Sequence, residues 1–341
     1  MGSLRWAFST TSWQPSYSEW LLAARCVQAE EKQRIGDFVF ACDAKAAMLA
    51  SPAPSETRSG QQDYILPRQP RPYSRLVVCQ AGRLLLRKLI TEVLGLPWNE
   101  IRLVRTKRGR PMLCRNPSTA ILASRLAAPA TPGHHGLDFN VSHQGGFAVL
   151  AAEERPVGVD VMKTELRGRG SLHDYFQTMS RQFTSLEWET IKGPASDVKK
   201  LEMFYRHWCL KESYLKGLGV GLGWDLQRLE FRLPTRDLRV GAITGDTTLL
   251  LDGTEQNNWE FQETMLDETH FVAVAIGPMT ADTQEVPQQS VWKVASAAPR
   301  FSTLSFRDLV ASAIPMFPED PEFWQNFQEK LKAQSTRDGE R

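Results

Sequence analysis

Phe204-Tyr205-Arg206-His207-Trp208-Cys209-Leu210-Lys211-Glu212-Ser213-Tyr214-Leu215-Lys216-Gly217-Leu218-Gly219-Val220-Gly221-Leu222-Gly223 is the stretch from which the rest of the chain can be read. Phe204, Trp208 and Leu215 recur at helical spacing, with Cys209 and Leu210 beside them, which predicts an amphipathic helix. Gly217 is the expected stop, because a residue with positive φ is cheap there. Lys211, Glu212 and Lys216 form a charged group on this helix, with Glu212 and Lys216 one turn apart. Any solvated helix face carries such pairs, and alone they contribute little. A second acid upstream, in Pro156-Val157-Gly158-Val159-Asp160-Val161, changes the reading. Asp160 ends a short β-branched run, a strand would hold it rigidly, and rigid carboxylates suit Mg²⁺.

Taken together, Val157-Gly158-Val159-Asp160 and Trp208-Cys209-Leu210-Lys211-Glu212-Ser213-Tyr214-Leu215-Lys216 resemble the signature of the 4′-phosphopantetheinyl transferase family. That signature is Val/Ile-Gly-Val/Ile-Asp, then, some tens of residues on, Trp/Phe-x-x-Lys-Glu-Ala/Ser-x-x-Lys. The similarity extends from Arg5-Trp6-Ala7-Phe8 to the tail. It implies an α+β fold of two similar subdomains in a pseudo-twofold arrangement, with the active site in the cleft between them. The expected division is an N-terminal subdomain over 1–157, a C-terminal one over 158–280, and a linker and tail over 281–341.

The bulk properties are those expected of a soluble globular protein. At 341 residues the chain can bury a large core. A net charge of +2 argues against a dedicated nucleic-acid binder while permitting a local basic patch. Five cysteines without CxxC spacing read as reduced thiols of a cytosolic protein. No run of 18 apolar residues exists, and Met1–Ser12 lacks a signal peptide's pattern, so the expected location is the cytosol. A monomer is expected.

In chain order, Arg5–Thr11 alternates as a strand, and Ser16–Val27 and Ala29–Met48 carry helical patterns. Leu49–Ala81 then contains Pro52, Pro54, Pro67, Pro70 and Pro72 with scattered apolar residues, and reads as a disordered insertion relative to the family. It would sever a helical region that resumes at Gly82-Arg83-Leu84. A strand over Ile101–Arg105 leads into Thr106-Lys107-Arg108-Gly109-Arg110, where three cations beside a glycine suit a phosphate cluster or, equally, a basic hairpin turn. Pro117–Leu137 is weakly patterned connection. Strands follow on both sides of Ser142-His143-Gln144, over Asp138–Gln144 and Phe147–Ala152. Lys163–Gly170 is basic and reads as flexible. Thr184-Ser185-Leu186-Glu187 is a capping box opening a helix. After the central helix the core turns to strands over Leu226–Leu233, Thr247–Leu251, Trp259–Leu266 and His270–Ile276. Met279–Ser296 reads as linker, Phe301–Phe317 as a docking tail, and the last ten or so residues as disordered.

The resemblance implies transfer of phosphopantetheine from coenzyme A to a serine of an apo acyl or peptidyl carrier protein, releasing adenosine 3′,5′-bisphosphate. Coenzyme A would be held by Arg83, Arg105, Thr106, Lys107, Arg108, Gly109, Arg110, Ser142 and His143, with Lys211, Glu212 and Lys216 on the other wall. Asp160 and Glu212 would bind Mg²⁺, and Glu212 would also serve as general base, with Lys216 neutralising developing charge. Lys211 would face phosphate or the carrier's acidic surface. Many family members carry an acid two residues beyond the metal Asp, where Met162 stands here, and a thioether is a poor Mg²⁺ ligand. Gln144 is the expected replacement ligand. The animal branch of the family suggests carriers of the fatty-acid synthase and aminoadipate-semialdehyde dehydrogenase type. Two other classes compete. A non-catalytic coenzyme A or carrier-binding module could dispense with Glu212, which is present; a nucleic-acid binder would need a broad basic face that a near-neutral chain does not offer.

Overall fold

The computed structural model describes residues 3–34, 72–114, 137–166, 170–278, 298–326 and 328–329. It is an α+β protein of four stacked layers: helix, sheet, sheet, helix. The first sheet has the order β12-β1-β5-β4, from Ser302–Thr303, Leu4–Ser9, Phe147–Glu153 and Asp138–Gln144. Strand β1 pairs antiparallel with β5 along its length, from Leu4 opposite Ala152 to Ser9 opposite Phe147. Strands β4 and β5 form a hairpin closed by Gly145-Gly146 alone, with φ of 66° and 105°. A two-residue turn that needs positive φ twice explains why two glycines stand there.

Alternation along β5 sorts its side chains between layers. Ala148, Leu150 and Ala152 face the long helix α2 (Pro72–Leu94), in a core with Phe8, Leu85 and Phe139. Val149 and Ala151 face the second sheet, of order β10-β11-β6 (Glu260–Asp267, His270–Ile276, Val157–Lys163). Along β6, Val157, Val159 and Val161 meet the first sheet. Gly158 and Met162 point the other way, toward the central helix α5 (Asp197–Leu218), which packs on β6 and β11. Ahead of α5 come α1 (Tyr17–Arg25), α3 (Leu172–Thr178) and α4 (Ser185–Lys192); a small sheet of β7 (Leu229–Arg232), β8 (Thr248–Leu251) and β9 (Thr254–Glu255) follows it.

The closeness of α5 to β6 has a stereochemical cause. A Cβ on Gly158 would lie 2.0 Å from the Ser213 carbonyl oxygen and 2.3 Å from the Gly217 nitrogen. Gly217 is therefore a contact glycine inside the helix, and the expected stop there is two residues early. The helix ends at Gly219, which has φ of 68° and donates its N–H back to Leu215 and Lys216.

One expectation about organisation is corrected. The segment read as a disordered insertion is helical over its last ten residues: α2 runs unbroken from Pro72 through Arg83, with Val77, Val78, Cys79 and Ala81 buried. Only residues 49–71 of that reading lie outside the described residues, as do 35–48 of the second predicted helix, 115–136 of the connection, 167–169 of the basic turn, 279–297 of the linker and 330–341. The stretch 301–317, read as a docking tail, does dock. Ser302–Thr303 adds to β1, Phe306 stacks on Trp13 with centroids 4.5 Å apart, and Trp20 stacks on Phe323, so the tail completes the N-terminal half. Among the described residues no helix is long and apolar enough to cross a membrane.

Candidate active site

The two sheets meet along β4 and β6 without a shared backbone ladder. Alternate β4 side chains make the bridge: Asp138 Oδ2 accepts from the Val157 amide at 2.7 Å, Asn140 Oδ1 from Val159 at 3.2 Å, and Gln144 Oε1 from Lys163. Side chains two apart on a strand lie on one face, which is why the polar residues of Asp-Phe-Asn-Val-Ser-His-Gln alternate as they do. Ser142 departs from the series. Its hydroxyl reaches past the backbone and donates to Asp160 Oδ1 at 2.7 Å.

Asp160 is thus held at the junction of the two halves, 5 % exposed. Lys216 comes to it from α5, with its ammonium 2.5 Å from Asp160 Oδ1, 2.7 Å from Ser142 Oγ and 3.2 Å from the Val159 carbonyl. Glu212, half-buried, sits one turn before Lys216 on the same side of α5. Behind Asp160, the Cys209 thiol donates to its carbonyl oxygen at 3.1 Å. Burial pushes that thiol's pKa well above the ordinary value, so Cys209 is an inert packing group. The sequence-level pairing of Asp160 with the Glu212–Lys216 turn is therefore a spatial one.

Asp160 Oδ2 is buried and has no hydrogen bond within the protein. Oδ1 carries both Ser142 and Lys216. A buried carboxylate oxygen without a donor is costly unless a cation meets it. Among the described residues no three His, Cys, Asp or Glu side chains gather as a metal cage. Asp160 and Glu212 thus fit an ion that takes one or two carboxylates and completes its shell with water and substrate phosphate, which is Mg²⁺ chemistry.

The basic segment lies across the same junction. Strands β2 (Leu103–Arg105) and β3 (Pro111–Leu113) flank a tight turn in which Thr106 N donates to the Arg110 carbonyl, Thr106 Oγ1 accepts from the Arg110 amide, and Gly109 takes φ of 87°. Lys107 and Arg108 stand exposed at its tip, Arg108 within 3.4 Å of the Gly219 carbonyl at the end of α5. Arg105 donates to the Gly109 carbonyl and pairs with Glu31, and Glu31 is also the partner of Arg83 at 2.6 Å. Burial alone would raise the Glu31 carboxyl, but the two guanidinium groups outweigh it and hold the pKa below the ordinary value. Two cations on one carboxylate leave this corner positive. On the opposite face of β4 from Ser142, His143 places Nε2 3.7 Å from the thiol of Cys79, one helical turn before Arg83.

Three expected site residues have other employment. Lys211 is fully buried. Its ammonium meets Glu187 at 2.6 Å and the carbonyls of Gln182, Leu226 and Leu229, so it faces neither phosphate nor solvent. Gln144 turns its carbonyl oxygen to the Lys163 amide, which occupies one of that oxygen's two acceptor positions. Arg110 spans both halves: it pairs with both oxygens of Asp138 at 2.7 Å and donates to the carbonyls of Phe139, Val157, Lys216 and Gly217. Its charge sits at the negative end of α5, where a cation is favoured. Asp138 and Glu187 were not anticipated as the partners of Arg110 and Lys211, nor Glu31 as that of Arg83 and Arg105; the capping box was the one local signal, and it marked Glu187.

Arg110→Ala is accordingly expected to cost about 1.5–3 kcal/mol of stability, the worth of charge-assisted hydrogen bonds, measurable as a lower urea midpoint. Affinities for coenzyme A and dephospho-coenzyme A should fall together, if at all. A selective loss for the 3′-phosphorylated form at unchanged stability would return Arg110 to the phosphate.

A family model described as 4′-phosphopantetheinyl transferase, N-terminal, matches residues 11–51 and 76–155. A second, described as 4′-phosphopantetheinyl transferase superfamily, matches residues 156–275. Residues 49–51 and 76–81 of the supposed insertion therefore fall inside the first match, while 52–75 lie outside it, as an insertion relative to the family would. L-aminoadipate-semialdehyde dehydrogenase-phosphopantetheinyl transferases of Pongo abelii and Homo sapiens are each 46 % identical to this chain over 329 residues, covering 96 % of it and 91 % of the relative. A phosphopantetheinyl transferase of Thraustochytrium sp. is 31 % identical over 289 residues, covering 83 % of this chain and 81 % of the relative. With both halves matched, each by its own model, and the Asp160–Lys216 contact formed where the two halves join, this chain belongs to the 4′-phosphopantetheinyl transferase superfamily.

Proposed function

We propose that the chain transfers the 4′-phosphopantetheine moiety of coenzyme A to a serine of an apo acyl or peptidyl carrier protein, releasing adenosine 3′,5′-bisphosphate, at the junction of β4, β6 and α5. The observation that carries this reading is the meeting of Asp160, Ser142 and Lys216 from three elements, with Asp160 Oδ2 buried and lacking a hydrogen bond. Asp160 and Glu212 would hold Mg²⁺. When bound, the ion neutralises charge on the pyrophosphate oxygens. Lys216 adds a fixed positive charge beside the leaving phosphate, and preorganised charge of this kind needs no rearrangement during reaction. Glu212 takes the proton of the carrier serine, directly or through one water. Arg83, Arg105, Thr106, Lys107, Arg108, Gly109 and His143 form the positive wall toward the coenzyme's phosphates, supported by the excess of cations around Glu31.

The two halves each lay a long helix on a three-strand antiparallel core of sheet, α2 on β1-β5-β4 and α5 on β10-β11-β6, which supports a pseudo-twofold arrangement with the site in the cleft between them. The carriers are expected to be of the aminoadipate-semialdehyde dehydrogenase and fatty-acid synthase type, met in the cytosol by a monomer; the first is the protein after which the animal relatives are named. The direct test is the intact mass of an apo carrier incubated with coenzyme A, Mg²⁺ and this protein. A gain of one phosphopantetheine is the expected result. An unchanged mass beside tight coenzyme A binding would favour a non-catalytic binding module.

A further inference from the structure

The bridge between β4 and β6 follows a rule with one exception. Asp138 meets Val157, Asn140 meets Val159 and Gln144 meets Lys163, always with the same offset in sequence and always side chain to amide. The same offset would put Ser142 on the amide of Val161. Its hydroxyl instead donates to the side chain of Asp160 and accepts from Lys216. Ser142 is 6 % exposed, so water has little access to replace these bonds.

We propose that Ser142 is a positioning residue that divides the two oxygens of Asp160 between protein and metal; this rests on Asp160 being a ligand of the divalent cation. Ser142 and Lys216 both load Oδ1, and a carboxylate held by two donors on one oxygen cannot turn freely about its terminal bond. Oδ2 is thereby kept away from the ammonium and presented without a hydrogen bond. Remove the hydroxyl, and Asp160 is free to rotate until both oxygens share the Lys216 ammonium, in competition with the metal. Ser142 then contributes to the reaction by preparing a ligand, a role distinct from the phosphate contact that family resemblance gives it.

The test uses the full chain with coenzyme A and no carrier, so that nothing turns over. Free Mn²⁺ is followed by electron paramagnetic resonance as it is titrated into wild-type protein, Ser142→Ala, Ser142→Thr and Asp160→Asn. Coenzyme A affinity is measured separately by calorimetry in EDTA. Ser142→Ala is expected to weaken Mn²⁺ about tenfold, the effect of losing one hydrogen bond to a charged group. Its coenzyme A affinity without metal should stay within about twofold of wild type, and Ser142→Thr, which keeps the hydroxyl, should recover Mn²⁺ binding. Wild-type Mn²⁺ affinity in the Ala variant, with weaker coenzyme A binding in EDTA, overturns the proposal and leaves Ser142 a phosphate contact. If Asp160→Asn also binds Mn²⁺ like wild type, the metal assignment itself fails and the proposal goes with it.

Discussion

Glu212→Gln is expected to leave the fold standing and remove about 10²–10⁴-fold from the transfer rate. The amide keeps the shape and volume of the carboxylate at a half-buried position on α5, so the helix and its packing on β6 have no reason to change. What disappears is the charge. On the proposed reading Glu212 does two things: it holds the divalent ion with Asp160, and it accepts the proton of the incoming serine. A glutamine does the first weakly and the second not at all. Lys216 and Asp160 would remain paired, so coenzyme A binding without metal should survive. Single-turnover transfer to an apo carrier, read by intact mass, separates the chemical step from carrier binding. A variant that transfers at the wild-type rate would remove Glu212 from both roles.

What could be read from the sequence about this site was local. Asp160 closes a valine run, and Glu212 and Lys216 share one helical turn, so periodicity alone placed each on its element. Which element faces which is a different kind of information. Lys211 and Glu212 are neighbours in sequence with the same look of a charged helix face, yet one is entombed and the other is half-buried. The difference is set by Glu187 on α4, Gln182, and the chain at Leu226 and Leu229, none of which periodicity within α5 can report. Arg110 is similar. A cation beside a glycine fits a phosphate equally well, and only the fold brings Asp138 and the end of α5 to it.

The misreading of α2 has a simpler cause. Pro72 was counted among the residues that break a helix, whereas it is the first residue of one. At that position the missing N–H would be unpaired anyway and the fixed φ is already helical. Counting from Pro72, the residues that looked scattered fall into place. Val77, Ala81, Leu84 and Leu85 recur at three- and four-residue steps, and all are buried in the core shared with β4 and β5.

The buried ion pair gives the largest expected effect on stability. Lys211→Met should cost about 3–5 kcal/mol, a large share of the roughly 5–15 kcal/mol that holds a typical protein together. Glu187 and Lys211 have no side-chain exposure, and the ammonium has four acceptors around it: the Glu187 carboxylate at 2.6 Å and three carbonyls at 2.8–3.0 Å. Burial pushes Glu187 up and Lys211 down from their ordinary values, each opposed by the charge of the other, so the pair stands or falls as a unit. Methionine fills the space but strands a buried carboxylate and leaves three carbonyls without their donor. Glu187 still accepts from the Thr184 amide at 2.9 Å and the Phe231 amide at 3.0 Å, which keeps the cap in place without replacing the cation. Adding Glu187→Leu to Lys211→Met should recover part of the loss, since an apolar pair of similar volume often matches a buried ion pair. The recovery stays incomplete because the two amides then lose their acceptor. Urea unfolding of the two single variants and the double variant measures the coupling. Coenzyme A affinity of the folded fraction should be unchanged throughout. If Lys211→Met unfolds at the wild-type urea concentration and loses coenzyme A instead, the ammonium reaches a phosphate and does not lie in the core.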